Sequence, residues 1–292
     1  MTLSSPIRYT VAAMPTILIT GASRGIGRAT TQRLANAGWN VFAGVRDDAA
    51  GAELRALAPA LITPVVLDIT DADHVADLVR VLPAELDAVV NNAGIVVGGP
   101  VEAVSPEQLR HQLDVNVIGQ HAVTRALLPR LRASRGRVLF VSSVSGRIAT
   151  PMTGAYNASK FALEGMADVL RMELRPWKIP VVLIEPGQTD TDIWRDAEST
   201  LESLVSDMSR EHRALYAKHI AGYRKSIPLS QKVAVPADTV AATIESALTA
   251  RRPRARYVVG AANKVQATMV GALPTAVADL LLRTVIGVPR RP

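Results

Sequence analysis

Between positions 143 and 160 stand three residues whose types suit proton transfer at a carbon–oxygen bond: Ser143, Tyr156 and Lys160. If a helix starts near Thr153, Tyr156 and Lys160 lie four residues apart, one turn on, and share a face. An ammonium beside a phenol favours the phenolate, because opposite charge lowers the acid's pKa. Tyrosine is otherwise too weak an acid to work near neutral pH, so the lysine would make it a usable proton donor or acceptor. Ser143 closes a strand-like run, Val138 to Val141, which would set its hydroxyl at a strand's carboxyl end. In an open α/β sheet, that edge is where ligands bind. A surface Tyr–Lys pair with a serine capping a turn would look the same over so short a stretch. The weight therefore falls on what lies upstream.

Upstream, Thr16–Thr20 is a short apolar run suited to a strand buried on both faces, and it leads straight into Gly21-Ala22-Ser23-Arg24-Gly25-Ile26-Gly27. A helical pattern follows to Ala37 and Gly38. Glycines at 21, 25 and 27 let the backbone turn tightly and approach a pyrophosphate, which the helix N-terminus favours electrostatically. The spacing is GxxxGxG rather than GxGxxG, and a plain glycine turn is the bland alternative. The second expected strand, Asn40–Val45, ends in Arg46. An NAD site would place an acid there for the ribose 2′-hydroxyl. Arg46, helped by Arg24, instead suits a 2′-phosphate, which a guanidinium binds bidentately. Asp47 follows and works against that inference. The residues favour NADP(H) over NAD(H).

The third strand, Leu61–Leu67, ends at Asp68, whose carboxylate could accept from an adenine amino group or merely cap a turn. The fourth, Leu86–Val90, leads into Asn91-Asn92-Ala93-Gly94, a loop that lets a ligand approach the backbone. Leu113–Leu131 reads as one long helix with Asn116 in its interior, as a satisfied core amide or part of a water-linked proton path. Pro180–Ile184 is the sixth strand, followed by Glu185-Pro186-Gly187-Gln188-Thr189-Asp190-Thr191, a turn that could hold a nicotinamide amide and phosphates. Residues 188–231 are long for a connection and carry helical apolar spacing, which predicts a lid, with Trp194, Met208 and Tyr216 as candidate pocket residues. A helix over Val235–Ala250, a closing strand over Arg256–Val259 and an apolar helix over Ala276–Ile286 complete the reading. That last helix could pack on the body, join a subunit contact or touch a membrane surface.

Composition narrows the classes. Hydrophobic residues make up 48% of the 292 and charged residues 20%, enough for a large core. The formal charge of +7 is spread along the chain except for ARRPRAR at 250–256, read here as a solvated connection rather than a nucleic-acid or lipid contact. There is no cysteine, which removes disulfides, thiol catalysis and Cys-type metal sites. The five histidines lack HxH or HxxxH spacing, so no metal is expected. No apolar run approaches a membrane span, and residues 1–14 lack a signal-like apolar region, so the expected place is the cytoplasm. Met14 directly precedes the first strand, which makes 1–14 an extension and leaves Met1 or Met14 as the start.

Strands alternate with helices, which predicts a parallel sheet covered on both faces. Taken together, TGASRGIG, NNAG, the Asn116 helix, Ser143, YNASK and EPGQTDT resemble, in order and spacing, the short-chain dehydrogenase/reductase family. The match is strong over about 16–191 and weak beyond. The resemblance implies an α/β, doubly wound (Rossmann-type) single domain over 15–292 with a helical substrate lid at 188–231. It implies that Tyr156 is the acid/base, that Lys160 lowers its pKa and binds the nicotinamide ribose, that Ser143 holds the substrate oxygen and that Asn116 supports a water relay. Gly21, Arg24, Gly25, Ile26, Gly27, Arg46, Asp68, Asn92 and Thr191 would form the cofactor site with Tyr156 and Lys160. Thr189 departs from the aliphatic residue common there. ASKFALEG and RPWKIPVVLIEPG look like the hydroxysteroid and retinol dehydrogenase branch, so a bulky apolar carbonyl or alcohol is the expected substrate. A 3-oxoacyl thioester reductase and a non-catalytic NADP(H)-binding sensor are the alternatives. A homodimer or homotetramer through the Asn116 and Tyr156 helices is expected, with no nucleic-acid partner.

Overall fold

The computed structural model describes residues 14–191 and 197–288. Its seven-stranded sheet is wholly parallel, in the order β3-β2-β1-β4-β5-β6-β9, where β1 is Thr16–Ile19, β2 Asn40–Val45, β3 Ile62–Val66, β4 Ala88–Asn91, β5 Arg137–Val141, β6 Val181–Pro186 and β9 Arg256–Val259. Two short strands, β7 (Thr189–Asp190) and β8 (Val235–Pro236), pair with each other outside it. Parallel neighbours need crossovers, and helices supply them: α1 Gly25–Asn36, α2 Asp48–Leu57, α3 Ala72–Val81, α4 Pro106–Leu113, α5 Gln120–Ser134 and α6 Gly154–Glu173. Burial on both faces explains why β4 and β6 are apolar runs without alternation.

Two cores result, one on each side of the sheet. Leu34, Trp39, Leu54, Val240, Ile244 and Leu248 cover one face from α1, α2 and the helix Ala237–Thr249. Leu78, Val123, Leu127, Leu131, Leu163 and Ala167 cover the other from α3, α5 and α6. On the first side, Arg33 ties α1 to the helix 237–249 through Glu245 at 2.7 Å and Asp238 at 3.0 Å.

Three departures from the sequence reading have physical causes. The expected helix Leu113–Leu131 lies within a longer helical run whose hydrogen bonding changes on the way: α4 ends at Leu113, a π segment spans Asp114–Gly119 and α5 continues from Gln120. Gly119 packs against Ile69, where a Cβ would stand 2.8 Å from the Ile69 carbonyl oxygen, and single π turns mark places where a helix is re-aimed. The helix expected over Val235–Ala250 starts at Ala237, because Val235 and Pro236 pair with Thr189 and Asp190 instead. Ala261–Ala272 is a helix that the apolar pattern alone did not announce.

The 188–231 excursion is helical over Ala197–Asp207, Arg210–Leu215 and Ala217–Lys232. Leu201, Met208, Ile220 and Ile227 bury there against Met152. Trp194 and most of the 1–14 extension lie outside the described residues.

Candidate active site

The strands end at one edge, and the predicted residues gather there. Gly21, Arg24, Gly25, Ile26, Arg46, Asp68, Asn92, Asn116, Ser143, Tyr156, Lys160 and Thr191 line a single cleft. Gly27 lies just behind its wall. A Cβ on Gly27 would collide with the Gly21 carbonyl oxygen and come within 2.6 Å of Asn92 Nδ2, so the first turn of α1 packs at backbone distance. Gly21 has φ +63° and a Cβ there would stand 2.9 Å from Ala93 Cα, which joins the glycine turn to the loop after β4.

The N-terminus of α1 is open to an anion. No side chain caps it and its first turn holds no acid, so its leading N–H groups and the Arg24 side chain keep a positive potential. These features fit a dinucleotide pyrophosphate. Arg46 stands on the same cleft, and Asp47 does not oppose it there: its carboxylate accepts from Ala50 N at 2.8 Å and caps α2. Asp68 accepts from the Thr70 amide at 2.9 Å and its hydroxyl at 2.7 Å, which holds its carboxyl below the usual range. Its turn-capping reading holds, and it still faces the cleft.

Asn92 fixes the opposite wall, donating from Nδ2 to Thr20 O at 2.9 Å and Gly21 O at 3.0 Å. Three further amides stitch the loop that follows. Gln112 donates to Ile95 O at 3.0 Å and accepts from Val97 N at 2.6 Å. Asn116 accepts from Ile95 N at 2.9 Å and donates to Ile95 O at 3.0 Å and Ser159 Oγ at 3.1 Å. Gln120 donates to Ala93 O at 2.8 Å. All three are fully buried, so each lost bond would strand a polar group. Asn116 is thus a satisfied core amide. Gln112 and Gln120 escaped the sequence reading, although their spacing of four about Asn116 was visible.

On the other side of the cleft, Ser143 stands two residues beyond the end of β5. Its hydroxyl donates to Pro186 O at 3.3 Å and accepts from Ser145 N at 3.1 Å. Asn157, next to Tyr156, holds the loop between β5 and α6 by donating to Ser145 O at 2.9 Å and Ile148 O at 3.0 Å. Tyr156 is partly buried, and burial pushes its phenol up while the Ser143 hydroxyl pulls it down. Lys160 is buried, donates to Val141 O at 2.8 Å and has its Nζ 5.7 Å from the Tyr156 ring centre. Burial pushes it down to about 8, opposed by Glu164. For Tyr156 the larger effect in this geometry is burial, with the Ser143 hydroxyl acting against it.

The turn after β6 also reaches the cleft. Thr189 is buried, donates to Gly187 O at 3.2 Å and lines the site, while Thr191 packs against Gly25. Among the described residues, no cluster of acids and histidines could hold a metal, and no helix is long and apolar enough to cross a membrane.

Residues 15–202 match the family model of the short chain dehydrogenases. Retinol dehydrogenase 5 of Mus musculus is 34% identical over 94% of this chain and 89% of its own length. An NADPH-dependent 3-dehydrocapnine reductase of Ornithobacterium rhinotracheale is 34% identical over 83% of this chain and 87% of its own. A short chain dehydrogenase from Burkholderia cenocepacia J2315, solved in complex with NADP, superposes with a TM-score of 0.73 at 25% identity, over 92% of this chain and 98% of that one. With the nucleotide-type glycine turn, the seven parallel strands and the Ser–Tyr–Lys edge in one cleft, the chain belongs to the short-chain dehydrogenase/reductase family of oxidoreductases, acting on CH–OH groups with NAD(P) as acceptor.

Proposed function

We propose that the chain exchanges hydride between NADP(H) and the carbonyl or secondary alcohol of an apolar, steroid-, retinoid- or lipid-like substrate. The observation that carries the cofactor reading is the division of labour between neighbours: Arg46 faces the cleft while the Asp47 carboxylate is committed to the cap of α2. The NADPH named for the 3-dehydrocapnine reductase and the NADP of the solved relative agree with it.

The bound nicotinamide supplies or accepts the hydride, and the chain's own residues do the rest. In the reductive direction Ser143 donates a hydrogen bond to the carbonyl oxygen, and Tyr156 gives its proton to the developing alkoxide. Lys160 binds the nicotinamide ribose and adds positive potential beside the phenol. Asn116 holds the loop 92–97 in place beside any water relay, its side-chain amide engaged at both ends.

The apolar substrate reading rests on the lid. Leu204 reaches to 3.0 Å of where a Cβ on Gly98 would stand, and Met152 joins the lid core, so an apolar roof lies over the loop beside the cleft. The exposed Ile118, Phe161, Val169 and Met172 support an oligomer through the helices that carry Asn116 and Tyr156. The exposed Val277, Leu280, Leu281 and Val285 support a peripheral membrane contact by the helix Thr275–Ile286.

Calorimetry with NADPH and NADH on wild type and Arg46→Ala tests the cofactor assignment. A strong preference for NADPH that collapses in the variant is the expected outcome. Equal binding of both cofactors by the wild type would overturn it.

A further inference from the structure

Beneath the Tyr156–Lys160 pair lies a layer of charge that the mechanism above does not use. Glu164 stands one turn beyond Lys160 on α6 and is 7% exposed, and Glu185 stands on β6 and is fully buried. Both converge on one nitrogen of Arg256, from β9. Arg256 Nε donates to Glu164 Oε2 at 3.0 Å and comes within 3.1 Å of Glu185 Oε1 without the alignment of a hydrogen bond. Arg256 Nη2 also comes within 3.0 Å of Glu164 Oε2, so one guanidinium stands against both acids.

The other charged groups around the pair are already engaged. From the loop after Ser143, Arg147 donates to Glu185 Oε2 at 3.4 Å. Farther along α6, Asp168 accepts from Arg256 Nη2 at 2.7 Å and from Arg171 at 2.7 Å. Glu185 Oε1 then has no hydrogen-bond partner among the described residues, and the Ser142 hydroxyl is the group that serves Glu164 on its other side. Gly146 packs between two of these side chains, since a Cβ there would stand 2.9 Å from Glu164 Cγ and 3.0 Å from Ser142 Oγ. Two buried carboxylates against one guanidinium are costly, and one proton held between them removes a charge and supplies the donor that Glu185 Oε1 lacks.

We propose that Glu164 and Glu185 share a single proton beside Arg256, and that Glu164, left negative on the Lys160 side, is the positioning residue that keeps the Lys160 ammonium charged. The electrostatics run the same way. Burial and the neighbouring Glu164 push Glu185 up to about 7, while Glu164 opposes the fall of Lys160. Glu164 itself is raised by burial, against Ser142 and Arg256. Tyr156 and Lys160 both line the cleft, whereas Glu164 stands one turn beyond Lys160 on the same helix, away from that lining. The consequence for catalysis rests on the Tyr–Lys reading, but the charge arrangement does not.

The chain has six lysines, so labelling lysine with 13C at Cε gives few resonances, and Lys160→Arg identifies the one that matters. The titration is run on the full chain without cofactor, for wild type, Glu164→Gln and Glu185→Gln. Glu164→Gln is expected to lower the Lys160 midpoint by at least about one pH unit, while Glu185→Gln leaves it near the wild-type value or raises it. An unchanged Lys160 midpoint in Glu164→Gln, with the other five lysines unmoved, overturns the proposal. A second measurement needs no variant that might misfold: 13Cδ-glutamate labelling of wild type should show one carboxyl still protonated near pH 7. Ionisation of every glutamate by pH 5 overturns the shared proton. NADPH binding by the same proteins reports separately on the cofactor site, so failure there leaves the lysine result standing.

Discussion

Lys160 reaches from α6 to the end of β5 and donates from its ammonium to the main-chain oxygen of Val141 at 2.8 Å. That bond ties the helix carrying Tyr156 to the strand whose end carries Ser143. The spacing of the hydroxyl, phenol and ammonium is thereby fixed before any ligand binds.

With those groups fixed, Tyr156→Phe should remove the proton donor without moving the cleft. Turnover of an apolar ketone, followed by NADPH absorbance, is expected to fall by about 10²–10⁴-fold. NADPH affinity by calorimetry should change little. A variant that retains wild-type turnover would remove Tyr156 from the chemistry, and an output kept without any turnover would favour a sensor.

Asp47→Ala separates the helix cap from the cofactor choice. The Asp47 carboxylate accepts from Ala50 N, so its loss should cost about 1 kcal/mol in urea unfolding. The ratio of NADPH to NADH affinity should stay at the wild-type value. If that ratio shifts instead, Asp47 faces the ribose and the account of Arg46 fails.

Gly27→Ala tests the close approach of α1 to the nucleotide loop. The new methyl meets the Gly21 carbonyl oxygen and Asn92 Nδ2, backbone and stitched amide that cannot both yield. Overpacking of this kind costs about 1–3 kcal/mol, and the displaced turn should weaken NADPH binding at least tenfold by calorimetry. Gly165→Ala, on α6 with open space around its Cβ, should do neither.

Stability should depend on pH in two opposite limbs. Glu185, ordinarily near 4.5 and held at about 7, binds more protons folded than unfolded between those values, so stability falls as pH rises through them. Lys160, ordinarily near 10.5 and held at about 8, binds fewer protons folded than unfolded between 8 and 10.5, so stability rises across that window. The lysine limb amounts to no more than about 3 kcal/mol, and the raised Tyr156 opposes it above pH 10. Urea midpoints from pH 4 to 10 check both, and Glu185→Gln should flatten the acidic limb alone.

Much of this was legible in the residues because it is local. Glycine spacing, strand runs and the i,i+4 step from Tyr156 to Lys160 are short-range patterns, and β1, β2 and β9 fall where the apolar runs place them or within a residue. The π segment at Asp114–Gly119 was not legible, and the contact it makes, Gly119 on Ile69, joins positions 50 apart in the chain. The same holds for Asp47, whose role depends on where α2 begins. Glu164 and Glu185 stood in plain view within ASKFALEG and IEPG. Only the arrival of Arg256 between them gives them meaning.

That arrival has a temporal side. Every motif that identifies the family lies within residues 15–202, yet Arg256, which sits between the two buried acids, is made long afterwards. On a ribosome, a chain grown only through the lid would present Glu164 and Glu185 to each other with Arg147 at hand but without Arg256. The portion that can be recognised is therefore smaller than the portion that must be synthesised before this buried charge cluster is complete.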